Sequence, residues 1–126
     1  MRVFLVENSP LVRERLRAVI EKVDGVEMVG EAASVDEATR AIPVSRAEAV
    51  VLDLHLDGGS GFDVMRALQK SAPATAVYVL TSFVNDSYRR AAERLGARGF
   101  FDKTNEIPSL LAALGSRRSG VGPVPD

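Results

Sequence analysis

Apolar positions fall into two alternating patterns along the chain. Three runs are nearly continuous: Val3-Phe4-Leu5-Val6, Ala49-Val50-Val51-Leu52 and Ala76-Val77-Tyr78-Val79-Leu80. Short apolar runs bounded by turn residues read as strands of a parallel sheet buried on both faces. Further strand candidates begin near Val26 and Arg98, so successive starts lie 23, 23, 27 and 22 residues apart. A hairpin needs only a few residues, whereas a parallel crossover needs a dozen or more, usually a helix.

The intervening segments carry helical periodicity. Val12, Leu16, Val19, Ile20 and Val23 recur on one face, as do Tyr88, Ala91, Ala92 and Leu95, and Ile107, Leu110, Leu111 and Leu114. Ser9-Pro10 predicts an N-cap followed by proline in the first turn. Gly25 and Gly96 fall where helices should stop. Ser34-Val35-Asp36-Glu37 has capping-box character, and Pro43 is expected to end that second helix early. A third helix starts after Gly61 and carries Val64, Met65 and Leu68. Five rounds of strand and helix predict a doubly wound α/β domain. After Gly115 periodicity stops, so residues 1–115 are expected to form the domain and residues 116–126 a flexible tail.

Composition narrows the function classes. The chain has 126 residues, enough for one domain with a real core. Its net charge of -1 gives no support to general binding of nucleic acid or anionic membrane. It has no cysteine, hence no disulfide framework and no thiolate nucleophile. The one histidine, His55, excludes a multi-histidine metal site. No apolar stretch is long enough to span a bilayer, and the start is too short in its apolar part for a signal peptide. A cytoplasmic domain is the expectation.

Polar residues recur just past the strands. Glu7 and Asn8 follow the first, Asp53 ends the third, Thr81 and Ser82 close the fourth, and Lys103 follows the fifth. In a parallel sheet these ends share one edge, where ligands of open α/β sheets collect. Singly, Asp53 is an ordinary loop carboxylate, Thr81 a turn hydroxyl and Lys103 a solvated charge. Together they make a chemical set. A carboxylate can attack phosphorus and form an acyl phosphate, with an ammonium and a hydroxyl to receive the phosphoryl oxygens. A divalent ion on oxygen ligands supplies further neutralisation.

At these residues the chain resembles response-regulator receiver domains over about residues 2–115. The resemblance rests on Val6-Glu7-Asn8-Ser9-Pro10, on Val51-Leu52-Asp53-Leu54-His55-Leu56 with Gly61 eight residues after Asp53, on Leu80-Thr81-Ser82, and on Gly96 to Lys103. It implies a flavodoxin-like, five-stranded parallel sheet in the order 2-1-3-4-5 with five helices. It further implies that Asp53 accepts phosphate from a histidine kinase or phosphotransfer protein. Thr81 and Lys103 would contact the phosphoryl group, and Phe100 would occupy an aromatic switch position, unless it is simply core. Mg²⁺ would be held by Glu7, Asn8, Asp53 and His55, the last through its backbone carbonyl. The implied role is signalling rather than enzymatic turnover. Phosphorylation would rearrange the surface of the fourth helix, fifth strand and fifth helix, which binds a downstream partner or a second copy.

Three departures stand out. Asn8 stands where the family usually has a second acid, which removes one negative charge from the metal site. Asp57 stands where proline is usual, and is expected to restore part of that charge. Thr104 stands where many members have proline after the lysine, so the lysine's backbone setting is expected to differ.

Two alternatives remain open. Loss of charge at Asn8 favours a phosphate-independent interaction module on the same fold. The run from Asp102 to Leu111 resembles receivers that carry a C-terminal DNA-binding output, so the chain is either a stand-alone receiver or the receiver part of a longer regulator. By itself it is expected to bind no nucleic acid. An enzyme on a related fold is disfavoured. An aspartyl phosphatase would want an acid where His55 stands, and a flavin carrier would not place Glu7 in its phosphate loop.

Overall fold

In a computed structural model, residues 1–119 are described. The elements are β1 (Arg2–Val6), α1 (Pro10–Glu21), β2 (Glu27–Ala32), α2 (Val35–Ser45), β3 (Ala49–Leu52), β4 (His55–Leu56), β5 (Gly59–Ser60), α3 (Gly61–Ser71), β6 (Ala76–Thr81), α4 (Asp86–Arg94), β7 (Gly99–Asp102) and α5 (Ile107–Ser119). Five strands form one sheet in the order β2-β1-β3-β6-β7, and every pairing in it is parallel. Leaving aside the two-stranded β4–β5 ribbon, this is the expected order 2-1-3-4-5.

The continuous apolar runs follow from a sheet covered on both sides. Phe4, Val6, Val50, Leu52, Val77 and Val79 face α2, α3 and α4, meeting Ile42, Val64, Met65 and Leu68. Val3, Leu5, Val51, Tyr78 and Leu80 face α1 and α5, meeting Leu16, Ile20, Leu110 and Leu114. Period-two alternation of side chains thus feeds two cores rather than one core and solvent.

The caps behave largely as read. Ser9 Oγ accepts from the Val12 N–H with Pro10 opening α1, and Ser34 Oγ accepts from the Glu37 N–H at α2. The Ala33 N–H donates to Glu37 in return, and this hydrogen bond holds the Glu37 carboxyl below its usual range. Gly96, at φ 91, follows directly on the C-cap of α4. Gly25, at φ 83, instead sits in the turn beyond α1, which stops at Glu21.

Two expectations need correction. Pro43 does not end α2; the helix carries it inside and stops at Ser45, where Arg46 turns left-handed at φ 61. In the last turn a proline forfeits one backbone hydrogen bond, and burial of Ala38 and Ile42 keeps the helix in place. The helical backbone also does not stop at Gly115, since α5 runs on to Ser119. The rest of the expected tail, residues 120–126, lies outside the described residues.

Candidate functional site

The carboxyl ends of β1, β3, β6 and β7 bring the candidate residues together. Backbone bonds continue the ladder past the strands: the Asp53 N–H donates to the Val6 carbonyl at 3.0 Å, and the Lys103 N–H to the Thr81 carbonyl at 2.9 Å. The three buried polar residues of the described chain are Glu7, Asp53 and Thr81, at 2%, 5% and 0% exposure. All three had been singled out from the sequence.

Lys103 ties the site together. Its Nζ lies 2.6 Å from Glu7 Oε1 and 2.8 Å from Asp53 Oδ2. Burial works against the charged form, but the hydrogen bonds and charges of Asp53 and Glu7 outweigh it, so the ammonium is held above its ordinary lysine range. The remaining oxygens are also engaged. Asp53 Oδ1 accepts from the His55 N–H at 3.3 Å, and Glu7 Oε2 from the Ser9 N–H at 3.0 Å. Thr81 Oγ1 accepts from the Phe83 N–H at 3.2 Å, which leaves its own proton to donate.

Gly61 has a steric reason for its place. A Cβ there would lie 2.5 Å from the Asp53 carbonyl oxygen and 3.0 Å from Leu54 Cα. The Gly61 N–H donates to the Leu54 carbonyl at 2.9 Å, so the start of α3 packs directly on the backbone that carries Asp53.

Thr104 shows how the lysine is held without proline. Its N–H donates to Asp102 Oδ1 at 2.8 Å, a bond proline could not make. Asn105 Nδ2 donates to Asp102 Oδ2, and the Asp102 N–H donates to Glu106 Oε1 at 2.8 Å. A side-chain turn thus fixes the backbone on either side of Lys103.

The oxygen donors present fit a small hard cation. Glu7 and Asp53 carboxylates converge on one position, now shared by the Lys103 ammonium, and half-buried Asn8 adjoins Glu7 in the chain. Mg²⁺ takes few carboxylates and keeps several waters. Among the described residues there is no group of three or more His, Cys, Asp or Glu able to hold a metal ion. A third protein oxygen for such a cation would come from the Asn8 amide or a backbone carbonyl. Asp57 does not join the buried carboxylates as a third metal-ligating acid. It is exposed on the β4–β5 turn, where its carbonyl accepts from the Val35 N–H, and it forms no three-carboxylate group with Glu7 and Asp53.

His55 is exposed, and its imidazole stacks on Phe83 with centroids 4.7 Å apart and planes 22° apart. Phe100 is buried at 8% exposure among the residues facing α2, α3 and α4. The Arg89 guanidinium lies 4.7 Å from its ring centroid, and Arg89 Nη1 donates to its carbonyl. Sequence reasoning missed the β4–β5 ribbon and the His55–Phe83 stack. Asp57-Gly58 between His55-Leu56 and Gly59-Ser60 is a hairpin signal, with Gly58 at φ 81, but two-residue strands are too short to show periodicity.

Comparison with known proteins agrees with this geometry. The family model described as "Response regulator receiver domain" matches residues 3–115. The DNA-binding transcriptional activator DevR/DosR of Mycobacterium tuberculosis is 34% identical over 122 residues, covering 97% of this chain and 55% of that protein. The response regulator UvrY of Escherichia coli is 25% identical over 118 residues, covering 94% of this chain and 54% of that protein. Among solved structures, a LuxR-family two-component response regulator from Aurantimonas sp. SI85-9A1 superposes with a TM-score of 0.87 at 30% identity, covering 94% of this chain and 85% of that one. The isolated receiver of RcsB from Salmonella enterica serovar Typhimurium, solved with the phosphomimetic BeF3-, also gives 0.87, at 24% identity over 100% of this chain and 94% of that one; it supports the fold alone.

The chain therefore belongs to the response-regulator receiver domain family of two-component signalling. It spans about half the length of the curated relatives it matches. Among the described residues no helix is long and apolar enough to cross a membrane.

Proposed function

We propose that this domain is a phosphate-accepting receiver in which Asp53 takes a phosphoryl group from a histidine kinase or phosphotransfer protein. The observation that carries the reading is the Lys103 ammonium shared between buried Asp53 and Glu7. An Asp53 oxygen attacks phosphorus, the bond from phosphorus to the donor nitrogen breaks, and an acyl phosphate remains on Asp53. Lys103, now bonded to Asp53 Oδ2, would turn to the incoming phosphoryl oxygens, and Thr81 would donate its proton to them. Glu7, Asn8, Asp53 and the His55 carbonyl would hold Mg²⁺, which neutralises phosphoryl charge when bound. The role is a switch and not enzymatic turnover. Phe100, under Arg89, would couple the site to the surface of α4, β7 and α5, where a downstream protein or a second copy docks.

The domain would act in the cytoplasm and contact neither membrane nor, by itself, nucleic acid. DevR/DosR is a DNA-binding activator by name, and this chain spans 55% of it, which supports a reading as the receiver part of a longer regulator. A stand-alone receiver acting by protein contact is the other arrangement. Asn8 favours a second reading, a phosphate-independent interaction module.

Incubation with acetyl phosphate and Mg²⁺, followed by peptide mapping, separates the two. The proposed function predicts one Mg²⁺-dependent phosphoryl group on Asp53, absent in Asp53→Asn. No label, with partner binding intact in Asp53→Ala, selects the module.

A further inference from the structure

Arg13, on α1, reaches back across the loop that carries Glu7 and Asn8. Its Nη1 donates to the Glu7 carbonyl at 2.7 Å, and its Nε to Glu31 Oε1 on β2 at 3.1 Å. The side chain is 21% exposed. A planar guanidinium holds two oxygens at a fixed spacing, which a point-like ammonium does not. The Glu7 carbonyl belongs to the planar peptide that leads into Asn8, so a bond to that oxygen sets the plane from which Asn8 departs. The other groups of Glu7 are held separately. Its N–H donates to the Ala32 carbonyl at 3.0 Å, Lys103 holds Oε1, and the Ser9 N–H holds Oε2. Arg13 supplies the remaining anchor. Arg17, one turn further along α1, is a natural control. It pairs with Glu31 at 3.1 Å and Glu21 at 3.3 Å, and its bonds reach no residue of the site.

We infer that Arg13 is a positioning residue for Mg²⁺, which fixes the Glu7–Asn8 peptide and so holds the Glu7 carboxylate and the Asn8 amide toward one cation. The inference rests on the metal site of the proposed function above. Arg13 takes no part in bond making at Asp53. Two effects of the guanidinium oppose each other. Its charge repels a cation, while its bonds order the ligands. Glu31 offsets the charge from 3.1 Å and salt screens the remainder, so ordering prevails. Asn8 raises the stake. A neutral amide oxygen attracts a cation less than a carboxylate does, so its placement matters more.

Calorimetric titration with Mg²⁺ alone tests this on the parent, Arg13→Met, Arg13→Lys and Arg17→Met, with thermal unfolding in parallel. Removing a group that orients metal ligands from outside typically costs roughly 10- to 100-fold in metal affinity, and Arg13→Met should fall in that range. Arg13→Lys keeps the charge but not the fork, so it should also bind Mg²⁺ more weakly than the parent. It serves as the test if Arg13→Met folds poorly. Arg17→Met removes a charge from the same network and should keep the parent's affinity. Arg13→Met that binds Mg²⁺ as tightly as the parent or more tightly, Arg13→Lys with the parent's affinity, or an equal weakening in Arg17→Met overturns the positioning role. A parent that binds no Mg²⁺ overturns the metal site and this inference with it. A parent that binds Mg²⁺ but takes no label on Asp53 overturns the acceptor reading alone.

Discussion

Replacing Lys103 with methionine removes the one cation between two buried carboxylates. Glu7 Oε1 and Asp53 Oδ2 both touch Lys103 Nζ, so they stand at most about 5.4 Å apart. At the effective dielectric suited to protein sites, two like charges at that distance repel by about 3 kcal/mol. Loss of one partner from a buried pair costs roughly 3–5 kcal/mol in general, and the 18% exposure of the Lys103 side chain argues for the lower end. Lys103→Met should therefore lose about 3 kcal/mol at pH 7, or roughly 10 °C in Tm.

The pH dependence has a fixed sign. The folded ammonium is held above its ordinary range, so its contribution is complete through neutral pH and is lost as pH rises through that raised value. The gap between parent and variant should close there. Mg²⁺ bound by the two carboxylates would replace the ammonium, and at about 100 times its dissociation constant it would return about 2.7 kcal/mol. Denaturant unfolding across pH, with and without Mg²⁺, is the assay. A variant within about 0.5 kcal/mol of the parent at pH 7, or one that Mg²⁺ stabilises less than the parent, refutes the reasoning.

The other predictions concern neighbours of this centre. Asn8→Asp adds a charged oxygen ligand and should tighten Mg²⁺ binding by about tenfold or more, as read by calorimetry; unchanged affinity would place Asn8 outside the metal site. Gly61→Ala drives a Cβ into the Asp53 carbonyl and should cost roughly 1–3 kcal/mol while slowing Asp53 labelling; a neutral result would show that the start of α3 does not position Asp53. Asp102→Ala frees the Thr104 and Asn105 donors and should slow labelling more than Thr104→Ala, which keeps the backbone N–H.

The sheet was legible because its strands are buried on both faces, so apolar runs such as Ala49 to Leu52 stand out against amphipathic helices. The cluster was legible because Glu7, Asp53 and Lys103 each follow a strand and Thr81 ends one, and parallel strands end on one edge. Pro43 misled because burial of the α2 face outweighs one lost hydrogen bond near a helix end. Gly115 misled because helical backbone there outlasts the apolar periodicity. Asp57 stands outside the buried cluster, because nearness in sequence to Asp53 does not bring it in. The His55–Phe83 stack was invisible because it joins the short strand β4 to the loop after β6, 28 residues on, with no periodic signal between them.

Titration with beryllofluoride in the presence and absence of Mg²⁺, followed by amide NMR, tests the acceptor role most directly. The account predicts Mg²⁺-dependent saturation with shifts at Asp53, Thr81 and Lys103, abolished in Asp53→Asn. No binding at any Mg²⁺ concentration, or binding that survives Asp53→Asn, would contradict it.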